Sequence, residues 1–210
     1  MTYYKATRPD GTDFRTGTID YGSALVSGEV IRHPAKRERN EPSTYLSVSV
    51  DAANCTGFSW PCRLFRVEPI GRIMANLDAS PSKRAVSALR VVEELPAHLA
   101  LGPNGEAVAA FIERCRTLTK RQAKTLSASA ALYAARDAAL YAARDAARDA
   151  ARDAAWDAAW DAAWDAALYA AWDAAWDAAW ALVVRDLITS EQSATLTRPF
   201  VDAGLGEWVA

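Results

Sequence analysis

The sequence predicts an α+β protein: a small mixed α/β head at the N-terminal end, a long helix rich in alanine and tryptophan, and a short helical C-terminal cap. Three observations carry that expectation. Nearly all of the glycine and proline falls in residues 1–105. From Glu106 to Arg198 there is neither, so nothing in the sequence stops a helix there. Within that stretch a four-residue repeat runs from Leu132 to Trp180. The expected units are therefore a head over 1–105, a helical region over 106–188 with the repeat at 132–180, and a cap over 189–210.

In the head, Thr2–Thr7 reads as a strand, Pro9-Asp-Gly11 as a turn and Asp13–Ile19 as a second strand. Asp20 is placed to N-cap a short helix through Ala24 and Leu25 that stops at Gly28. "HPAKRERNEP", His33 to Pro42, is a charged loop bounded by prolines. "STYLSVSV", Ser43 to Val50, alternates apolar and polar residues as a half-buried strand does, and Cys62–Glu68 follows as another. Lys83–Leu95 fits a helix through Val86, Leu89 and Val92 and a strand through "LRVVEEL". Leu95–Gly105, with two prolines and two glycines, reads as the exit linker.

Beyond it, Val108, Phe111, Ile112, Cys115 and Leu118 share one helical face. Thr119 is a candidate N-cap for a second helix, and Ser127 or Ser129 for the long one. "TSEQ" sets Thr189 and Gln192 at capping-box spacing, and Pro199, Gly204 and Gly206 close the chain in a compact end piece.

The repeat places one large residue in every four: Leu132, Arg136, Leu140, Arg144, Arg148 and Arg152 in its first half, then Trp156, Trp160, Trp164, Leu168, Trp172, Trp176 and Trp180. Asp or Tyr follows each but the last, and alanine, the best helix former, fills most of the rest. Four residues advance a helix by about 400°, so the large side chains drift by about 40° per tetrad and circle a straight helix in roughly nine. As one helix the array would span about 74 Å, against a diameter near 43 Å for a compact domain of this length, so it is expected to project. Six projecting indoles form an apolar stripe that water disfavours. The thirteen large residues are therefore the expected self-association surface, with a second copy of the chain as partner and a host protein as a further candidate. Arg dominates the first half, whereas Asp153–Asp177 is acidic without a basic residue. Antiparallel pairing centred near Trp156 would set guanidinium groups over indoles; packing of the array on the preceding helices is the alternative.

Other chemistries have little to rest on. A formal charge of −2 gives no global attraction to nucleic acid, and Asp145–Arg148 and Asp149–Arg152 pair charges along the basic half. No stretch reaches the 18 or so apolar residues of a membrane span, and the Asp after each Trp from 156 to 176 would be repelled by anionic lipid. Cys55 and Cys62, with His33 nearby, lack the tight pair of a zinc site, and an odd cysteine count without a secretion signal fits reduced thiols in a cytoplasm. No phosphate loop, dinucleotide motif or nucleophile motif is present, so no cofactor, metal or catalytic residue is assigned.

Two resemblances add to this. "YYKA" on the first strand and "STYLSVS" on a later one resemble ADP-ribosyltransferases. That likeness implies Lys5 in the place of the family's first-strand Arg or His, and Glu93 or Glu94 as its acid. "TYYKATRPDGTDFRTGTIDY", "CRLFRVEP" and "LVVRDLITSEQ" around the Ala-Ala-Trp-Asp array resemble uncharacterised proteins of actinobacteria and their phages. This implies a phage accessory protein in a bacterial cytoplasm. The expectation is a non-enzymatic, self-associating scaffold that presents its head, with a head-domain enzyme or ligand-binding module as the alternative.

Overall fold

The computed structural model describes residues 1–35, 41–55, 58–75, 81–130, 136–150, 152–167 and 171–210. They form two compact units, Met1–Ala100 and Leu101–Ala210.

The first unit is one antiparallel sheet with a helix on it. Its strands are β1 (Tyr3–Thr7), β2 (Val30–Arg32), β3 (Leu46–Ser49), β4 (Arg63–Ile70), β5 (Met74–Ala75), β6 (Lys83–Val86) and β7 (Ala88–Leu95). The spatial order is β2-β7-β4-β1-β3-β6-β5. Lys83–Leu95 is thus two strands rather than a helix. A bend at Ser87 sends β6 to β3 and β7 to β4. The helix α1 (Tyr21–Ser27) has the ends its sequence predicts. Asp20 accepts from Ser23 N at 2.8 Å, and Gly28, at φ +71°, donates to Ala24 O at 3.0 Å. Its Tyr21 and Ala24 close a core made by Tyr3, Leu46, Val48, Phe65, Val67, Val86, Leu89 and Val91. Asp13–Ile19, expected as a strand, is a turn whose two ends are closed by the isolated antiparallel Thr12–Asp20 bridge.

The second unit contains α2 (Gly105–Cys115), α3 (Lys120–Ala130), α4 (Arg136–Asp149), α5 (Asp153–Ala166), α6 (Trp172–Val183) and α7 (Ser190–Asp202). Val108, Phe111, Ile112, Cys115 and Leu118 are buried as their spacing predicts. Thr119 and Gln122 cap α3 reciprocally, and Thr189 with Gln192 forms a full capping box on α7. Ser127 and Ser129 fall inside α3 rather than at a helix start. Pro199 does not end α7, which runs on to Asp202.

The single long helix over 132–180 is not what forms. The array is divided among α4, α5 and α6, with Arg152 outside helical geometry (φ −107°, ψ 16°) and Ala167 extended (φ −87°, ψ 151°). α5 and α6 lie antiparallel and stack their indoles in register. Trp156 pairs with Trp180 at 4.1 Å between ring centroids, Trp160 with Trp176 at 5.1 Å, and Trp164 with Trp172 at 4.0 Å. Alanine propensity is worth tenths of a kcal/mol per residue, and interrupting a helix forfeits a few hydrogen bonds at about 0.5–1.5 kcal/mol each. Burying an indole of 150–250 Å² contributes up to about 4–6 kcal/mol, so six of them outweigh the break. The 40° drift per tetrad also favours short arms, because three tetrads turn the stripe by only about 80°. Ala174, Ala175, Ala178 and Ala179 on α6 are fully buried, and side chains this small let α5, α2 and α7 approach closely.

The pairs are symmetric about residue 168, which makes register testable. Deleting Trp160–Ala163 alone removes one stack and shifts Trp156 off Trp180, a cost on the order of 3–5 kcal/mol. Deleting Asp173–Trp176 as well restores the Trp156–Trp180 stack, with Trp164–Trp172 kept throughout. Thermal melts should therefore place Tm of the double deletion several degrees above that of the single one, and the reverse order would refute this pairing.

Candidate functional site

The sheet of the head is nearly divided. β1 pairs with β4 at five positions, Tyr3–Val67 through Thr7–Arg63, but with β3 only at Tyr4–Ser49. Past Tyr4 the two strands part, and a cleft of about 390 Å³ opens at the split. Lys5, Ala6, Leu46 and Ser47 line it from the strands, and the Asp13–Ile19 turn, Tyr21, His33, Tyr45 and Lys83 complete it. Cys55 lies on the far side of the same split, where its thiol donates to Asp51 O at 3.9 Å.

Lys5 sits in the wrong register for a lysine. Side chains alternate along a strand, so Lys5 shares a face with Tyr3, which is in the core, and with the fully buried Thr7. Its ammonium lies 5.4 Å from the centroid of the Tyr21 ring and has no hydrogen-bond acceptor among the described residues. Desolvation lowers its pKa, and the positive charge of Lys83 lowers it further; Asp13 opposes both. Cys55 gives no counter-charge at neutral pH, because burial pushes its thiol up to about 12.

Asp13 is occupied elsewhere. Its carboxylate accepts from Thr16 N at 2.7 Å, Thr16 Oγ1 at 2.8 Å, Thr18 N at 3.1 Å and Ile19 N at 3.0 Å. Burial alone would raise its pKa, but these bonds and the Lys5 charge bring it down to about 2. The carboxylate thereby folds "DFRTGTI" around itself. Gly17 makes the turn possible at φ +69°, where a Cβ would stand 2.6 Å from an Arg8 guanidinium nitrogen. Arg8 in turn donates to Phe14 O at 2.9 Å. The turn so held carries exposed Arg15 on the cleft wall. His33 Nδ1 accepts from Ala35 N at 3.2 Å, which in the neutral ring leaves its Nε2–H as a donor. Among the described residues that line it, the cleft is rich in donors and positive charge, and the carboxylate of Asp13 is already surrounded by donors.

The acids implied by the ADP-ribosyltransferase resemblance are not in this cleft. Glu94 forms a two-point ion pair with Arg63 at 2.7 and 2.8 Å, and Glu93 pairs with Arg66 at 2.5 Å. Both belong to β7, which β4 separates from β1. The strands bearing "YYKA" and "STYLSVS" do lie side by side. The sequence reasoning missed Asp13, Arg15, Tyr21 and His33 as parts of one site. The available signal was a lysine in the apolar register of "YYKAT".

Of the expected self-association residues, Leu132 and Leu168 lie outside the described residues. Arg136 opens α4, which also holds Leu140, partly buried, and Arg144 and Arg148, both exposed. Arg148 pairs with Asp145 at 3.3 Å as the spacing predicts. Arg152 instead makes a two-point pair with Asp186 at 2.8 and 2.9 Å, which holds that acid down to about 2. The six tryptophans stack on one another within the chain. Trp156 and Trp180 are buried, while Trp160, Trp164, Trp172 and Trp176 keep partly exposed edges.

Asp13→Asn keeps the shape but loses the charge that the turn surrounds. A carboxylate whose pKa is depressed by folding stabilises fully above its unfolded value near 3.8 and loses that contribution as pH falls towards 2. After allowance for solvent screening, the variant should be less stable by roughly 1–2 kcal/mol at pH 7. In urea titrations the gap to the unchanged protein should close between about pH 4 and pH 2. A gap independent of pH would show that the carboxylate charge is not what holds the turn.

No protein-family model, curated protein or solved structure matches the chain, so what the cleft binds has to be read from its own residues.

Proposed function

We propose that the chain is a cytoplasmic binding protein whose head takes a small anionic ligand in the cleft between β1 and β3. The observation that carries this is Lys5: a desolvated ammonium in a core-facing register, beside a second ammonium, with no acceptor of its own among the described residues. Desolvation disfavours the charge there, and Asp13, which favours it, already has its acceptor capacity taken up by donors. An anion in the cleft supplies the missing partner, with Arg15 and the His33 Nε2–H as further donors on the wall. The free and buried state of Cys55, Cys62 and Cys115 suits a reducing compartment. Among the described residues no helix is long and apolar enough to cross a membrane.

Inorganic phosphate and pyrophosphate are the first probes. At 100 times its Kd a ligand adds about 2.7 kcal/mol to stability, which reads as several degrees in Tm. Lys5→Met should raise Tm without ligand, because an apolar side chain suits that register, and should abolish the ligand-dependent rise. Arg15→Ala should weaken the rise and leave the starting Tm unchanged. A shift that survives Lys5→Met would refute this site.

Self-association through the tetrad array is the second proposal, favoured by the partly exposed edges of Trp160, Trp164, Trp172 and Trp176. A second copy laid against that row would cover them. Light scattering should then give twice the 22.7 kDa chain mass as concentration rises. A monomer at every concentration would end the proposal.

A further inference from the structure

Lys5 and Cys55 bring an amine and a thiol to the split between β1 and β3. Nucleophiles of both kinds act in their deprotonated forms. Burial stabilises the neutral form of each, with opposite consequences. It keeps Cys55 an unreactive thiol, pushed up to about 12. It brings Lys5 towards the free amine, and Lys83 pushes the same way. Geometry decides which of them a ligand can reach. Lys5 lines the 390 Å³ cleft, rests on the face of Tyr21 and has no hydrogen-bond acceptor holding its nitrogen among the described residues, whereas Cys55 faces only the narrow inner side of the split.

We propose that Lys5 captures the carbonyl carbon of a small 2-oxo acid as an imine. The inference rests on the anion-binding proposal, since the ligand's carboxylate is taken by Arg15 and the His33 Nε2–H while its carbonyl lies against Lys5. The nitrogen lone pair attacks the carbonyl carbon, and a C–N bond forms as the C=O π pair moves onto oxygen. Oxygen gains a proton and nitrogen loses one through solvent, giving a carbinolamine. The hydroxyl then leaves as water while the C=N bond forms. One water is released per carbonyl captured, nothing is oxidised or reduced, and hydrolysis returns the amine and the oxo acid. The cleft's cationic wall favours an acid-bearing carbonyl over a neutral aldehyde.

The test traps the imine. The full chain is incubated at neutral pH with glyoxylate and sodium cyanoborohydride, which reduces an imine to a stable secondary amine, and the labelled lysines are mapped by mass spectrometry. Lys120 and Lys124, exposed on α3, serve as internal references. Lys5 should be labelled severalfold faster than either, inorganic phosphate should slow its labelling and not theirs, and propionaldehyde should label it less well than glyoxylate. Lys5→Arg should lose that adduct while Lys120 and Lys124 keep theirs. Labelling of Lys5 no faster than of Lys120, with the phosphate effect on Tm intact, overturns the imine and leaves the anion site standing. Fast labelling by both aldehydes without protection by phosphate overturns the oxo-acid assignment together with the anion site.

Discussion

Burial of six indoles decides the path of the chain through Leu101–Ala210. A sequence of alanine and aspartate with a tryptophan in every fourth place has almost no local reason to leave a helix, yet the helix is interrupted. Stacking Trp156 on Trp180, Trp160 on Trp176 and Trp164 on Trp172 removes aromatic surface from water on a scale that backbone propensity cannot match. Once α5 and α6 are antiparallel, their alanine faces are free to bury against α2 and α7. The edge-to-face pair of Phe111 and Phe200, 5.2 Å apart, ties α2 to α7. Arg152 and Asp186 then fasten the two ends of the hairpin, and Asn104 donates to the same carboxylate at 2.7 Å. A repeat that reads as an extended rod is thus the centre of a packed unit.

In the head the corresponding constraint is the single β1–β3 pairing at Tyr4–Ser49. A strand fully paired on both sides leaves no room for a ligand between its neighbours. One paired on one side and splayed on the other keeps the sheet intact and opens a cleft through it. What fills that cleft in the free protein is a chemical mismatch, an ammonium where the register calls for an apolar group. The Asp13 turn is the compensating feature. It places one negative charge close enough to support Lys5, while spending all its acceptor capacity on its own backbone and Thr16. Residual positive potential therefore belongs to the cleft itself, which ties its chemistry to the way the sheet parts.

Carboxylates in both units respond to their immediate partners, and Asp186 is lowered by Arg152 as the head's capping acids are by donors. In the helical unit, Asp161 of the array is pushed upward by desolvation and by neighbouring Asp165. In the head, carboxylates at turns and caps are pulled downward by donors, as at Asp10, Asp13, Asp20 and Glu41. Lys5 is the exception there, a cation whose surroundings favour its neutral form.

Much of this was legible in the sequence where the cause is local. Asp20 and Gly28 bound a helix because a carboxylate can accept from free N–H groups and glycine tolerates positive φ; Thr189 and Gln192 cap another by reciprocal bonds three residues apart. The alternation in Leu46–Ser49 and the apolar face from Val108 to Leu118 follow from the periods of strand and helix. Tertiary structure decided the rest. It divided Lys83–Leu95 at Ser87, because β3 and β4 each needed a partner on opposite sides of β1. It folded the tryptophan array back on itself, because a helix that suits every local preference would have left its indoles in water. It also brought Lys5, Arg15, His33 and Lys83 to one cleft from four separate stretches of chain. No spacing records that convergence, since it depends on where two strands part.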